Sequence, residues 1–267
     1  MCEIILNKVH NTDCLDGMQY LKDNSIDLIV TSPPYYNAKE YSHWETYDKF
    51  LDWLSQVFTL AYQKLKDGRM CCVNLSVIIE SRVNRNSESK RIPLPFHFVG
   101  LMENIGFKFL EDIVWVKPEG AVKNRNGGFY RHRQPVAYKP NVVNEYILVF
   151  QKPAPYLIDK IVRSYNGEIK EKSLVEDGYE RSNVWYINPE TQSKHLAPYP
   201  EGLCDRLIKY YSYTDDIVLD MFMGSGTTAK VAYLNHRNYI GFEIDKEYCQ
   251  MSNQRVEDIK IKGDCYK

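Results

Sequence analysis

Short apolar runs alternate with helical patterns along most of this chain, and that alternation constrains the fold more than any other feature. Residues 9–11, 26–31, 69–75, 107–116, 145–151, 217–222 and 239–244 are apolar stretches bounded by turn residues, which reads as strands. Residues 14–22, 48–66, 95–104, 202–211, 227–234 and 246–261 read as helices. The clearest is 48–66, with Phe50, Leu51, Leu54, Val57, Phe58, Ala61 and Leu65 on one face and Asp67-Gly68 as its stop. Strands alternating with helices predict a parallel sheet covered on both faces. The 267 residues suffice for a full core, and we expect one domain over 1–267.

Composition narrows the class. Apolar content is 44% and the formal net charge is −1, which excludes disordered and fibrous chains. Near-zero net charge leaves nucleic-acid binding open, because local patches decide it. The opening MCEIILNKVH holds no long apolar stretch, so neither a secretory signal nor a membrane span is expected. Seven cysteines, with Cys71 and Cys72 adjacent and no CxxC, argue for small buried side chains in a reducing cytoplasm, without a disulfide framework or metal site.

One glycine turn carries more information than its pattern. Asp220-Met221-Phe222-Met223-Gly224-Ser225-Gly226-Thr227-Thr228 follows a strand and opens a helix. The glycines permit a tight turn and close backbone approach to a ligand, and the helix start offers free N–H groups. About twenty residues on, Glu243 ends the next strand, where an acid can bind a ribose diol. Gly224, Gly226 and Ala229 also satisfy the loose pattern G-x-G-x-x-A, so the motif alone fits a nicotinamide dinucleotide as well as S-adenosylmethionine. No Gly-Lys-Ser/Thr follows, which excludes a P-loop. Only 24 residues follow Glu243, too few for the rest of a nucleotide-binding sheet. The missing strands are therefore expected from the N-terminal part, so that the chain begins in the middle of its own sheet.

The second motif is Thr31-Ser32-Pro33-Pro34-Tyr35, directly after the strand 26–31. It falls at the carboxyl end of that strand, where open α/β sheets place ligands. Two prolines stiffen the loop and leave carbonyls without competing N–H groups. Such a loop can aim carbonyl oxygens and a hydroxyl at an amino group, with an aromatic face beside it.

Together the two motifs resemble the β-group DNA amino-methyltransferases of bacterial restriction-modification systems, in which the catalytic half precedes the cofactor half. The resemblance covers nearly the whole chain. It implies a Rossmann-like α/β methyltransferase sheet of order 3-2-1-4-5-7-6, circularly permuted, with inserted DNA-recognition segments. It implies S-adenosylmethionine as cofactor and double-stranded DNA as substrate. A cognate restriction endonuclease is the implied partner, with the enzyme a monomer or dimer in the cytoplasm. Thr12-Asp13-Cys14-Leu15 resembles the adenine-contacting segment, and His195-Leu196-Ala197-Pro198 the segment holding the methionine end, with His195-Leu196 where the family usually has His-Pro. The implied cofactor site comprises Asp13, Cys14, Thr31, His195, Pro198, Asp220, Phe222, Gly224, Ser225, Gly226, Thr227, Thr228 and Glu243. The implied catalytic residues are Ser32, Pro33, Pro34 and Tyr35. Ser32 Oγ and the Pro33 carbonyl would bind the amino hydrogens of a flipped base, and Tyr35 would stack on it. Serine at the first motif position is commoner in the cytosine-N4 enzymes, aspartate in the adenine-N6 enzymes, so cytosine N4 leads and adenine N6 is the alternative.

Residues 121–140 hold five Lys or Arg and no acid. The DNA-contacting loops are expected at 76–92 and 117–144, with Arg82, Arg85, Arg125, Arg131, His132 and Arg133 on phosphates or guanine edges, and 152–200 as a target-recognition segment. Tyr36 and Trp44 either line the target pocket or pack in the core. Two rivals remain on sequence grounds. A nicotinamide-dependent oxidoreductase would leave Thr31–Tyr35 without a role. A non-catalytic nucleic-acid-binding module would keep the fold without the reaction. RNA and protein-glutamine amino-methyltransferases also use a Pro-Pro-Tyr loop.

Overall fold

A computed structural model describes all residues except 1–3, 37–43, 81–83, 85, 87–88, 123, 125–129, 132, 191–199 and 265–267. The described residues include ten strands and eight α-helices. The strands are β1 Lys8–Asn11, β2 Ile26–Thr31, β3 Leu65–Leu75, β4 Ile78–Glu80, β5 Lys90–Ile92, β6 Lys108–Val116, β7 Asn144–Gln151, β8 Val184–Tyr186, β9 Ile217–Asp220 and β10 Asn238–Glu243. The helices are α1 Cys14–Gln19, α2 Tyr47–Lys64, α3 Leu94–Ile105, α4 Ile158–Ser164, α5 Gly167–Lys172, α6 Glu201–Tyr211, α7 Thr227–Leu234 and α8 Lys246–Asp264.

Eight strands form one sheet in the order β1-β10-β9-β2-β3-β7-β6-β8. The first seven stand in the expected order 3-2-1-4-5-7-6. β7 runs antiparallel to both neighbours, β3 and β6, and the other ladders are parallel. The sheet has two buried faces because adjacent residues point to opposite sides. Ile29 and Cys71 meet α2 and α3 through Phe50, Phe58 and Phe98. Leu28, Val30 and Cys72 meet α6 and α7 through Leu203, Leu207, Ala229 and Ala232. The helix after β2 thus covers one face and the helix after β9 the other, which makes β2/β9 the topological switch point. Their ladder has two registered pairs, Leu28↔Val218 and Ile29↔Leu219, and a crevice opens beyond them.

Several expectations need correction. The helix expected over 14–22 ends at Gln19, and that over 48–66 ends at Lys64. Leu65 is already extended and pairs with Ile26. Asp67-Gly68 lies within β3 as an irregularity between the pairs Ile26↔Leu65 and Leu28↔Met70. Gly68 takes φ 78° there, and its N–H donates to the Lys152 carbonyl at 2.8 Å. The strand expected over 217–222 ends at Asp220. The stretch 76–92 is not all loop, since β4 and β5 pair antiparallel within it. An eighth strand, β8, was missed and lies parallel to β6 at the sheet edge. The cysteines among the described residues are free and buried.

Part of the segment 152–200 packs against the amino end of the sheet. Tyr165, between α4 and α5, reaches the amino end of the sheet, where Arg69 bridges Asp27 at 3.0 Å and Asp216 at 3.1 Å. The Tyr165 hydroxyl donates to Asp216, and its ring stacks on Tyr213 with centroids 4.0 Å apart. Lys66 adds a 2.7 Å contact to Asp27. Burial, with the Asp27 charge beside it, raises the Asp216 carboxyl above its ordinary value. A cleft of about 460 Å³ lies over this cluster. It is at the opposite end of the strands from Ser32, so α4 and α5 lie far from the end where Thr31–Tyr35 emerges.

Removing one partner of a buried ion pair leaves the other charge uncompensated. Asp27 and Asp216 are 3% and 4% exposed. Arg69→Leu should therefore cost roughly 3–5 kcal/mol, measured as a lower urea midpoint at unchanged slope.

Candidate active site

Strand β2 delivers the proline loop into the crevice. Pro33 is buried, while Ser32, Pro34 and Tyr35 are half-buried. Ser32 Oγ donates to the Asn74 carbonyl at 3.3 Å, on the neighbouring strand β3. The Tyr35 hydroxyl donates to Glu145 Oε2 across a long 3.4 Å. The same Glu145 oxygen accepts from Asn74 Nδ2 at 2.7 Å, and its partner oxygen accepts from Lys117 Nζ. Lys117 in turn sits 4.5 Å over the Trp115 ring. Burial and the Glu145 charge push the Tyr35 phenol well above its ordinary value, so it stays a neutral donor. Asn74, Glu145 and Lys117 were missed from the sequence, where they read as strand ends. The signal available was position. In the order 4-5-7-6 these residues all fall at the Ser32 end of the sheet.

The glycine loop leaves β9 beside it. Asp220 Oδ1 accepts from Thr31 Oγ1 at 2.6 Å and from the Phe222 N–H at 3.0 Å, and Oδ2 accepts from Thr228 Oγ1 at 2.6 Å. Asp220, Thr31 and Thr228 are 1%, 1% and 0% exposed. Their side chains are buried and brace the loop from inside. Ser225 and Thr227 are buried too, and the Cys14 thiol is buried in the core, its pKa pushed up to about 12. Asp13 caps α1 by accepting from the Leu15 N–H at 2.7 Å. Gly226 takes φ 86°, and a Cβ there would lie 2.8 Å from Ser252 Cα on α8. Helix packing alone therefore requires glycine at this position.

Gly224, with φ 55°, and Glu243 face the crevice differently. Glu243 Oε2 accepts from the Gly224 N–H at 2.7 Å, and Oε1 from the Asp245 N–H at 2.9 Å. Each oxygen keeps a lone pair for a further donor. Burial raises this half-buried carboxyl above its ordinary range. Thr12 N–H donates to the Glu243 carbonyl at 3.2 Å, which brings the Asp13 segment to the same spot. Phe222 packs on Trp53 with centroids 5.6 Å apart. Tyr36 lies 5.5 Å from Tyr47, and Trp44 lies 5.0 Å from Trp53. The two motifs and residues 12–14 thus converge at one end of the sheet, as a donor and acceptor set suited to a nucleoside with its ribose on Glu243.

Among the basic candidates, Arg131 and Arg133 are exposed. They belong to the connection from Val116 to Asn144. β6 runs parallel to β2, so that connection leaves the sheet at the Ser32 end. Arg82, Arg85, Arg125, His132, His195 and Pro198 lie outside the described residues.

Comparison with known proteins agrees with this geometry. A family model described as DNA methylase, of the N6/N4 type, matches residues 26–254. The type II methyltransferase M.BglII of Bacillus subtilis is 30% identical over 257 residues, covering 93% of this chain and 68% of the relative. The type II beta methyltransferase M.BslI of Bacillus sp. (strain NEB-606) is 29% identical over 93% of this chain, and the chain spans 27% of its length. The solved structure of TTHA0409 from Thermus thermophilus, described as a DNA modification methylase complexed with S-adenosyl-L-methionine, matches with a TM-score of 0.77. Its identity is 26%, and the match covers 94% of this chain and 93% of that one.

Asp220 yields a prediction on stability. Burial raises its pKa from 3.8 to about 6, against the lowering effect of its hydrogen bonds. The folded state then binds more protons than the unfolded state between those values. The stabilisation from the neutral carboxyl is complete below 3.8 and is lost as pH rises through about 6. Asp220→Asn is neutral throughout. Thermal melts of the variant relative to wild type should improve across that window by up to the order of 3 kcal/mol. Parallel curves would mean that Asp220 does not titrate there.

Proposed function

This chain belongs to the N6/N4 family of DNA methylases, and on that premise we propose that it methylates the exocyclic N4 of a cytosine flipped out of duplex DNA. The cofactor is S-adenosylmethionine. The observation that carries the reading is the convergence of the Ser32–Tyr35 loop and the Gly224 loop on one crevice, joined by the Thr31–Asp220 hydrogen bond of 2.6 Å.

When bound, S-adenosylmethionine supplies an electrophilic methyl group on a sulfonium. Glu243 and the Gly224 loop would hold its nucleoside end, the residual Glu243 lone pairs being available to the ribose hydroxyls. The amino lone pair of cytosine is delocalised into the ring, so the nitrogen is a poor nucleophile. Ser32 spends its hydroxyl proton on the Asn74 carbonyl, which leaves its lone pairs to accept an amino hydrogen. The Pro33 carbonyl, whose residue has no N–H, accepts the other. Two acceptors on the amino hydrogens favour a more pyramidal and more reactive nitrogen. Tyr35, anchored by Glu145, would stack on the ring and fix the position of the nitrogen, so positioning supplies much of the rate. Serine at the first motif position supports cytosine N4 over adenine N6.

The topology supports DNA contact from 76–92 and 117–144, because both stretches leave the sheet at the Ser32 end. The exposed Arg131 and Arg133, in a stretch 121–140 without an acid in its sequence, neutralise phosphates there. Within 152–200, β8 ends at this same end of the sheet, and the residues that follow it are the proposed contributor to target recognition.

Single-molecule sequencing of plasmid DNA treated with the enzyme tests the reading. N4-methylcytosine at one recurring sequence is expected, N6-methyladenine would exchange the target base, and unmodified plasmid would refute DNA methylation.

Ser32→Ala and Tyr35→Ala should each lower turnover roughly 10–100-fold, the first by the worth of one hydrogen bond to a group gaining charge and the second by the worth of stacking one base on an aromatic ring. Calorimetry should show unchanged S-adenosylmethionine affinity in both, since neither residue lies in the glycine loop. Unaltered tritiated-methyl transfer would remove the assigned roles.

Arg131→Ala and Arg133→Ala should each weaken DNA binding for every sequence and lower the salt slope by roughly one unit. Salt-dependent titration of duplex reads this directly. An unaltered slope would mark the stretch as a solvated loop.

A further inference from the structure

One buried polar atom at this site has no role in the mechanism above. Asn74 is 6% exposed, yet its Oδ1 has no hydrogen-bond partner. Buried acceptors are normally satisfied, and an exception calls for a cause. Asn74 is the penultimate residue of β3, and its main-chain carbonyl holds the catalytic Ser32 hydroxyl. The unmet acceptor therefore belongs to the residue that touches Ser32.

Chemistry sets the orientation of the amide. Asn74 Nδ2 donates to the Glu145 carboxylate at 2.7 Å. Turning the amide over would press Oδ1 against a carboxylate oxygen, acceptor on acceptor. Glu145 is itself held by Lys117 and by the Tyr35 hydroxyl. Lys117 rests against Trp115, which pairs with Glu145 across the β6–β7 ladder. With one Nδ2 hydrogen held by Glu145 and the amide unable to turn, Oδ1 is its one heavy atom left without a partner.

We propose that Asn74 Oδ1 is a substrate contact that shares one amino hydrogen of the flipped base with Ser32 Oγ, and that Glu145 locks the amide so that the pocket admits amino bases over keto bases. Three-centre hydrogen bonds of this kind are common. A keto oxygen in place of the amino group would meet Oδ1 acceptor to acceptor. Sites built to bond a polar group discriminate strongly against analogues that cannot supply it. The inference rests on the DNA-methylation reading. It adds a contact residue, Asn74, and a positioning residue, Glu145, to the catalytic loop.

The test compares wild type, Asn74→Leu, Ser32→Ala and the double variant on plasmid DNA with tritiated S-adenosylmethionine. Asn74→Leu should lower kcat roughly tenfold, with S-adenosylmethionine affinity unchanged by calorimetry. The double variant should lose more than the product of the two single losses, because either acceptor alone can hold the hydrogen. Glu145→Gln supplies an independent readout. Its amide can accept or donate, so Asn74 is free to turn. Binding is measured to duplexes carrying the mapped site with the target base intact or exchanged, uracil for cytosine or hypoxanthine for adenine. Glu145→Gln should shift the ratio several-fold toward the keto base. Wild-type kcat in Asn74→Leu, additive losses, or an unshifted ratio in Glu145→Gln would each overturn the proposal. Loss of cofactor binding in Asn74→Leu would make Asn74 a structural residue and overturn it too. A wild type that methylates no plasmid DNA fails the underlying reading, whereas an active wild type with an unaffected Asn74→Leu fails this inference alone.

Discussion

A single buried carboxylate ties the catalytic strand to the cofactor strand. The β2–β9 ladder stops at Ile29↔Leu219, because the helices that follow these strands cover opposite faces of the sheet. Past that point the backbones no longer bond, and a crevice opens. Asp220 spans its floor, accepting from Thr31 on β2, from Thr228 on α7 and from the Phe222 N–H in its own loop. Ser32 follows Thr31 and Gly224 lies four residues past Asp220, so their relative positions depend on this one group. A buried carboxylate is costly unless its lone pairs are used. Here three donors use them, and the strain of burial remains visible in a pKa of about 6.

The two ends of the sheet spend their polar groups differently. At the amino end, Arg69, Asp27, Asp216 and Tyr165 satisfy one another and fasten α4 and α5 to the strands. That cluster is closed, and the cleft above it presents charges already paired. At the carboxyl end, the Ser32–Asn74–Glu145–Lys117 network is nearly closed but leaves Asn74 Oδ1 open. Glu243 likewise holds two backbone N–H groups and keeps lone pairs to spare. Unused hydrogen-bonding capacity is a liability in a scaffold and a requirement in a binding site. The two ends differ in this respect independently of any motif.

Much of this was legible in the amino-acid sequence. Continuous apolar runs such as Ile26–Thr31 and the helical stripe of Phe50, Leu54, Val57, Phe58 and Ala61 announce strands and helices through local periodicity. The strand order followed because a glycine turn so near the end of the chain had to borrow its sheet from the other end. The proline loop was recognisable because its resemblance to the family's motif is carried by a run of adjacent residues. Boundaries were less legible. Asp67-Gly68 reads as a helix stop, yet the chain turns extended at Leu65 to pair with Ile26, and Gly68 serves a strand irregularity. Strand β8 is only three residues long and forms by pairing with β6, which no local pattern reveals.

What only tertiary structure decided was the division of labour among the marked residues. Asp220, Thr31 and Thr228 carry the motif yet face inward, and Gly226 is glycine because Ser252 on a later helix leaves no room for a Cβ. Asn74, Glu145 and Lys117 carry no motif yet surround Ser32 and Tyr35. The physical reason is range. Periodicity and turn chemistry act over a few residues and are written in the chain. Hydrogen bonds between Glu145 and residues 71 and 110 positions away exist only once the sheet has brought β2, β3 and β7 side by side. The chain by itself determined the fold and the order of its strands, and the packed sheet determined which side chains meet at the crevice and which of them are buried braces.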